Sequence, residues 1–342
     1  MSTPSAARAR RFPFSRPLSI FLVFLSAMPL FAQAETRKPS AVWPDHPIRL
    51  IAPFHSGGPT ELVAKFYADL LSGALKQPIR LENHGGVDGQ SSAEMVAHAP
   101  ADGYTLLFGT VGTQVIAPIL NARMTYNPET DFRPIALIAS APIALVAAPS
   151  LKIASIGELA TLARVKSLRF ASSGNGTTGH LTGELFRAAS GIPLVHAPHQ
   201  GSPLAMRKIL SGEIDLLFIP LQTVLPYIHL GKLKLLALSA PSPLLPNAPT
   251  FASIGVPVET LAWWGVFAPA GTPERVIAQL TYASERALKT QAAQQLEQMG
   301  VTLFTHKYPA QITRFMVSER EKWTRALHPL KISPHPETIE EP

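Results

Sequence analysis

The chain has 342 residues, 30 lysines and arginines against 23 aspartates and glutamates, a formal net charge of +7, and no cysteine. The missing thiol excludes cysteine nucleophiles, cysteine-held metals and disulfides, so stability must come from the apolar core that a chain this long can bury. The cations are scattered rather than striped with aromatics, which argues against nucleic acid as a partner.

The first segment has an address rather than a fold. Arg8, Arg10, Arg11 and Arg16 precede an apolar run over 18–31, and Ala32-Gln33-Ala34 follows as a small-residue cleavage signature. Residues 1–34 therefore read as a secretory signal peptide, and the mature chain as a periplasmic protein starting near Glu35. The run is short and contains Pro29, so a cleaved leader fits better than a permanent membrane anchor. Phe12-Pro13-Phe14 after Arg10-Arg11 favours general secretion over the twin-arginine route. Losing four arginines and no acid takes the charge from +7 to about +3.

The apolar run Pro47-Ile48-Arg49-Leu50-Ile51-Ala52-Pro53 predicts a strand that breaks into Phe54-His55-Ser56-Gly57-Gly58-Pro59-Thr60-Glu61. Leu62, Val63, Phe66, Tyr67, Leu70 and Leu71 then recur at helical spacing. Glycines that let amides approach, with proline in the first helical turn, suit such a joint to hold an anion; turn geometry alone is the competing reading. Further strands are predicted over 79–82, 104–109, 143–147, 168–171, 194–197, 215–219 and 233–239, and helices over 91–98, 156–164, 180–190, 203–211 and 273–289. The alternation predicts an α/β fold. The proline-rich stretch 241–257 reads as a loop crossing between lobes, and 333–342 as a loose tail.

Gly174-Asn175-Gly176-Thr177-Thr178-Gly179 matches G-x-G-x-x-G between a strand and a helix. No acid follows in Leu194-Val195-His196-Ala197-Pro198-His199 to hold a ribose, so a dinucleotide is not expected. The chain has neither G-x-S-x-G nor H-E-x-x-H. His180 and Glu184, and His196 and His199, have spacings a metal could use; the competing expectation is that His180 caps a helix and Glu184 faces solvent. No catalytic residue, metal or cofactor is expected. A third loop, Gly109-Thr110-Val111-Gly112-Thr113-Gln114, follows a strand, and none of the three loops has a lysine or arginine, which suits reversible capture of an anion by N–H and hydroxyl donors.

These residues carry a resemblance. Trp43-Pro44-Asp45-His46-Pro47 through Phe54 with Gly57-Gly58, Glu82-Asn83, Ala101-Asp102-Gly103-Tyr104, Tyr126-Asn127-Pro128, Ser172-Ser173-Gly174-Asn175-Gly176, His180-Leu181, Gly183-Glu184-Leu185-Phe186 and Ala268-Pro269-Ala270-Gly271-Thr272-Pro273 resemble, in order, the Bug family of periplasmic solute-binding receptors. The resemblance spans about Trp43 to Leu330. It implies a type II-like Venus flytrap of two lobes, each a central β-sheet flanked by helices, serving the permease of a tripartite tricarboxylate transporter as a monomer. Residues 35–138 and 264–332 would form lobe one and 139–263 lobe two, with crossings near Ile138 and Trp263. Carried over, Phe54, Gly57, Gly58 and Thr60 line one loop, Thr110 and Thr113 its neighbour, and Ser173, Asn175, Thr177 and Thr178 the opposing one.

This chain departs from the family pattern at four places. It has His55 where proline is usual, Glu61 for aspartate, His199-Gln200-Gly201 for tyrosine-lysine-glycine, and Ile219 for an aspartate. Without that last acid an amino group loses its partner, so the expected ligand is an amine-free carboxylate, aromatic or dicarboxylic, with His55 and His199 as added donors. Ser56 and Glu61 complete the expected site, the competing reading of Glu61 being that it complements the helix N-terminus, since it would repel a carboxylate brought close. Trp264 is expected at the cleft, domain packing being the alternative for it and Trp263. A periplasmic sensor using the same pocket, or less favourably an exported enzyme, are the other functional classes.

Overall fold

The computed structural model describes residues 43–85, 89–121, 123–304 and 308–330. The leader, the start near Glu35 and the tail over 333–342 lie outside them. In chain order the elements are β1 (Ile48–Pro53), α1 (Pro59–Leu75), β2 (Ile79–His84), α2 (Gln90–Ala97), β3 (Thr105–Thr110), a π-helical turn (Gly112–Ile116) running into α3 (Ala117–Leu120), and β4 (Phe132–Ala147). Then follow α4 (Ile156–Ala163), β5 (Leu168–Ala171), α5 (Thr178–Ser190), β6 (Leu194–Ala197), α6 (Ser202–Ser211), β7 (Leu216–Pro220), α7 (Leu221–His229) and β8 (Lys234–Leu238). The chain finishes with β9 (Leu261–Pro269), α8 (Glu274–Leu288), α9 (Gln291–Gln298), β10 (Thr302–Leu303) and α10 (Pro309–Leu327).

The sheet runs β2-β1-β3-β9-β4-β7-β5-β6, with β8 and β10 also pairing to β4. Strands β1, β2 and β3 are mutually parallel, as are β5, β6 and β7, while β9 and β4 run antiparallel between these two groups. Both parallel groups are built from strand–helix crossovers that cover the sheet, which is why strands such as β3 and β7 are buried at every position. Contacts across the junction make the described residues one compact unit.

The main departure from the sequence expectation is β4, which starts at Phe132 rather than at 143. Pro142 reads as a strand boundary because it lacks an N–H. In the fold it is where β4 changes partner: Pro142 is the last residue opposite β9, and Ile143 the first opposite β7. The Ile143 N–H donates to Ser239 Oγ at 2.7 Å, and Ser239 donates onward to the Thr260 carbonyl, so the changeover is hydrogen-bonded. Residues 239–260, which include the proline-rich stretch, connect β8 on one side of this changeover to β9 on the other. The sequence reading does not predict strands β9 and β10 or helices α3, α7, α9 and α10. Helix α10 was legible, since Ile312, Met316, Glu319, Trp323 and Leu327 recur at three- and four-residue steps and are buried.

Helices α1 and α8 are joined at Tyr67, whose hydroxyl meets Ser284 Oγ at 2.6 Å in full burial. Burial pushes the Tyr67 hydroxyl well above the usual tyrosine range, so it stays neutral. Ser284 also donates to the Leu280 carbonyl at 2.7 Å, so it keeps a partner without Tyr67. Tyr67→Phe should therefore cost only about 1 kcal/mol, read as a small fall in urea midpoint with an unchanged slope.

Candidate functional site

After β1 the chain enters the site at Phe54, a non-glycine residue with φ +74°. Such a conformation costs about 1–3 kcal/mol and persists where its surroundings hold it. Here a Cβ on Gly89 would fall 2.6 Å from Pro53 Cβ and 3.2 Å from the Phe54 ring, so Gly89 leaves room for the turn. Gly58 is the N-cap of α1 and Pro59 its first residue. The Gly57 N–H donates to Glu61 Oε2 at 2.6 Å, so Glu61 occupies a loop amide and lies outside the cleft lining. The Thr60 hydroxyl accepts the Trp264 Nε1–H at 3.1 Å in a buried contact. Trp264 stands opposite Thr110 in the β3–β9 register. Thr110 accepts the Thr113 N–H at 3.3 Å and its own N–H donates to Thr113 Oγ1 at 3.0 Å. Thr113 is thus wholly buried and shapes the loop from behind rather than lining the cleft.

The opposite wall is the loop between β5 and α5. Thr177 caps α5 by accepting the His180 N–H, and donates to the Gly174 carbonyl at 2.7 Å. The Gly176 N–H donates to His180 Nδ1 at 3.1 Å. His180 is therefore no cap: it is buried, stacked on His196 at 4.1 Å, and holds the glycine loop from below. Desolvation lowers His180 to about 4; it lowers His196 further still, helped by the charges of His180 and His199. His196 Nε2 meets Ser172 Oγ at 2.9 Å. Glu184 pairs with Arg187. Among the described residues no three His, Asp or Glu side chains gather closely enough to hold a metal ion.

The loop between β6 and α6 completes that wall. Gly201, with φ +92°, is the α6 N-cap, and its N–H donates to the Ser173 and His199 carbonyls. Ser173 Oγ and Ser202 Oγ stand 2.6 Å apart. His199 Nδ1 hydrogen-bonds the Ala197 carbonyl at 2.8 Å, which turns it away from the cleft; burial depresses its pKa, the carbonyl opposing that shift. The two walls touch at one rim, where a Cβ on Gly57 would fall 3.0 Å from Pro203 Cγ.

Between the walls lies a cleft of about 710 Å3, its open mouth included. Of the sequence candidates, Phe54, His55, Gly58, Thr60, Thr110, Ser173, Thr177, Thr178 and Trp264 line it. Ser56, Gly57, Glu61, Thr113, Asn175 and His199 do not. Pro59, Val111, Gly112, Gly176 and Gly179 also line it, from loops the sequence singled out without naming these residues as contacts; Gly201, Ser202, Pro220 and Ala262 were missed, and Trp263 was left open. One signal was available: Gly201-Ser202-Pro203 repeats the glycine-then-proline helix entry of Gly58-Pro59.

No lysine or arginine is among the described lining residues. The entrances of α1, α5 and α6, and the helical turn after β3, all contribute lining residues, so the positive dipole ends of these helices supply the field. Trp263 donates its indole N–H to the buried Glu319 carboxylate at 3.1 Å, and Trp264 donates to Thr60. Both tryptophans therefore offer the cleft ring surface only. The site presents an apolar floor with hydrogen-bonding groups around it, and no paired acid and base among the described lining residues.

Comparison with known proteins gives the context. The model of the tripartite tricarboxylate transporter family receptor matches residues 63–331. The protein BugT of Bordetella pertussis is 29% identical over 316 residues, 90% of this chain and 95% of BugT. The structure of R. palustris Rpa4515 with adipate superposes with a TM-score of 0.81 at 32% identity, covering 85% of this chain and 99% of that one. MatC of Rhodopseudomonas palustris with bound malate superposes at 0.78 with 29% identity, covering 83% and 99%.

Proposed function

Because the chain belongs to the tripartite tricarboxylate transporter receptor family, whose Bug-type members are periplasmic solute-binding receptors and not enzymes, we propose that it captures a small amine-free carboxylate in this cleft and hands it to a membrane permease. The observation that carries the reading is the convergence of the α1, α5 and α6 entrances on a cleft without a cationic side chain among its described lining residues. Amides and hydroxyls hold a carboxylate firmly enough to collect it and loosely enough to release it. The adipate and malate of the two solved relatives are both dicarboxylates without an amine, in keeping with that chemistry. The position before Pro220, which lines the cleft, is the buried apolar Ile219, so an ammonium there would lack a counter-charge.

In this reading residues 1–34 direct export. The two lobes, assigned as 35–138 with 264–332 and 139–263, turn against each other where β4 changes partners at Pro142 and Ile143, beside the start of β9. In this scheme the permease is a separate chain; no helix among the described residues is long and apolar enough to cross a membrane.

Calorimetry with adipate, malate, benzoate, aspartate and glutamate tests the proposal. At least one amine-free acid should bind and raise the melting temperature, while the amino acids bind at least about tenfold more weakly. Selective binding of aspartate or glutamate would overturn the ligand class.

A further inference from the structure

The proton inventory of the lining hydroxyls says more about the ligand than their positions do. An indole N–H can only donate, so Thr60 Oγ1 must accept from Trp264 at 3.1 Å. A backbone N–H can only donate, so Thr110 Oγ1 must accept from Thr113 at 3.3 Å. Neither hydroxyl hydrogen-bonds to a protein acceptor among the described residues, and both side chains are buried, at 5% and 6% exposure. Both residues line the cleft, and each hydroxyl has its oxygen engaged as an acceptor and its proton unspent among the described residues. A buried O–H without an acceptor is costly, whereas an unused second lone pair costs little. Accepting a hydrogen bond also polarises the hydroxyl and strengthens what it donates.

Trp264 ties the two together. Its backbone stands opposite Thr110 in the β3–β9 ladder, and its indole reaches Thr60 at the entrance of α1. Resting on the carboxylate reading above, we infer that Thr60 and Thr110 form a donor pair for a ligand carboxylate, and that Trp264 is the positioning residue whose N–H commits Thr60 to donating. A carboxylate brings acceptors to both protons. An amide or alcohol in its place brings one acceptor atom instead of two, and an ammonium brings none. The device therefore sets selectivity for the carboxylate, separately from the helix-entrance amides that supply general affinity for anions.

The test compares each of adipate, malate and benzoate with its primary amide, malonamide-type symmetric diamides excluded, by calorimetry on wild type, Trp264→Phe, Thr60→Val, Thr110→Val and Thr60→Ser. Trp264→Phe removes the N–H while keeping an aromatic ring. It should weaken the bound acid about tenfold and the amide less than about twofold, so that acid-over-amide selectivity falls. The two valine variants should do the same, and Thr60→Ser should retain wild-type selectivity. A purely structural role would weaken acid and amide together. An unchanged selectivity ratio in Trp264→Phe and in both valine variants, whether binding is kept or lost for both ligands alike, would overturn the inference. Wild type that binds none of the three acids would remove the carboxylate reading itself, and the inference with it.

Discussion

Gly179→Ala should nearly abolish ligand capture and destabilise the protein by about 3 kcal/mol. A Cβ at this position would fall 2.3 Å from the Phe218 carbonyl oxygen and 3.2 Å from its carbonyl carbon. Phe218 lies in β7, held between β4 and β5, so the obstacle is backbone in the middle of the sheet and not a side chain that can swing aside. Helix α5 must lift off the sheet at its first turn. That turn carries Thr177, Thr178 and Gly179 into the cleft lining, so the displacement moves donors by a distance that breaks hydrogen bonds. Gly73→Ala is the matched control. Gly73 lies within α1 with nothing within 4 Å of an added Cβ, and its replacement should stabilise by about 0.5–1 kcal/mol through helix propensity. Urea unfolding and calorimetry on both variants decide the matter. A Gly179→Ala protein with wild-type midpoint and affinity would show that the α5 entrance does not depend on this close approach.

Acidification from pH 6.5 to about 4 should remove about 3 kcal/mol of stability through His180 alone. Burial lowers its folded pKa to about 4, while the unfolded chain protonates near 6.5. Between those values the unfolded state binds the extra proton, so stability is full above 6.5, declines as pH falls, and levels off below about 4. His196, depressed further by burial and by the neighbouring imidazoles, carries the decline to lower pH. The titratable groups that act on this pair are the two imidazoles on each other and His199 on His196, and the Ser172 hydroxyl bonds His196 Nε2. Function should follow, because a protonated His180 Nδ1 can no longer accept the Gly176 N–H and the glycine loop loses its support. Urea midpoints measured from pH 7.5 to 4 should slope downward in wild type and be flatter in His180→Gln. A midpoint constant from pH 7 to 4.5 in wild type would sink the argument.

Much of the site was legible locally. The joints at Gly58-Pro59 and at Gly176-Thr177 were placed from sequence because proline at a helix start and glycine in a left-handed turn act through the φ angle of a single residue. The same joints leave open which of their donors stay free. Asn175 stays out of the lining, and the Gly57 and Gly176 amides are spent on Glu61 and His180. The sequence offers His199 both as a donor to a ligand and as a partner of a backbone carbonyl; its Nδ1 bonds the Ala197 carbonyl two residues back, and spacing alone could not rank the two.

The amino-acid sequence alone determined the α/β alternation, the strand–turn–helix joints and the absence of thiol chemistry, because periodicity, φ preference and composition are properties of neighbours in the chain. Tertiary structure decided which donors remain free, why β4 runs unbroken through Pro142, and that Trp264 commits Thr60. Those outcomes depend on hydrogen-bond partners such as Trp264 and Thr60, distant in sequence and adjacent in space.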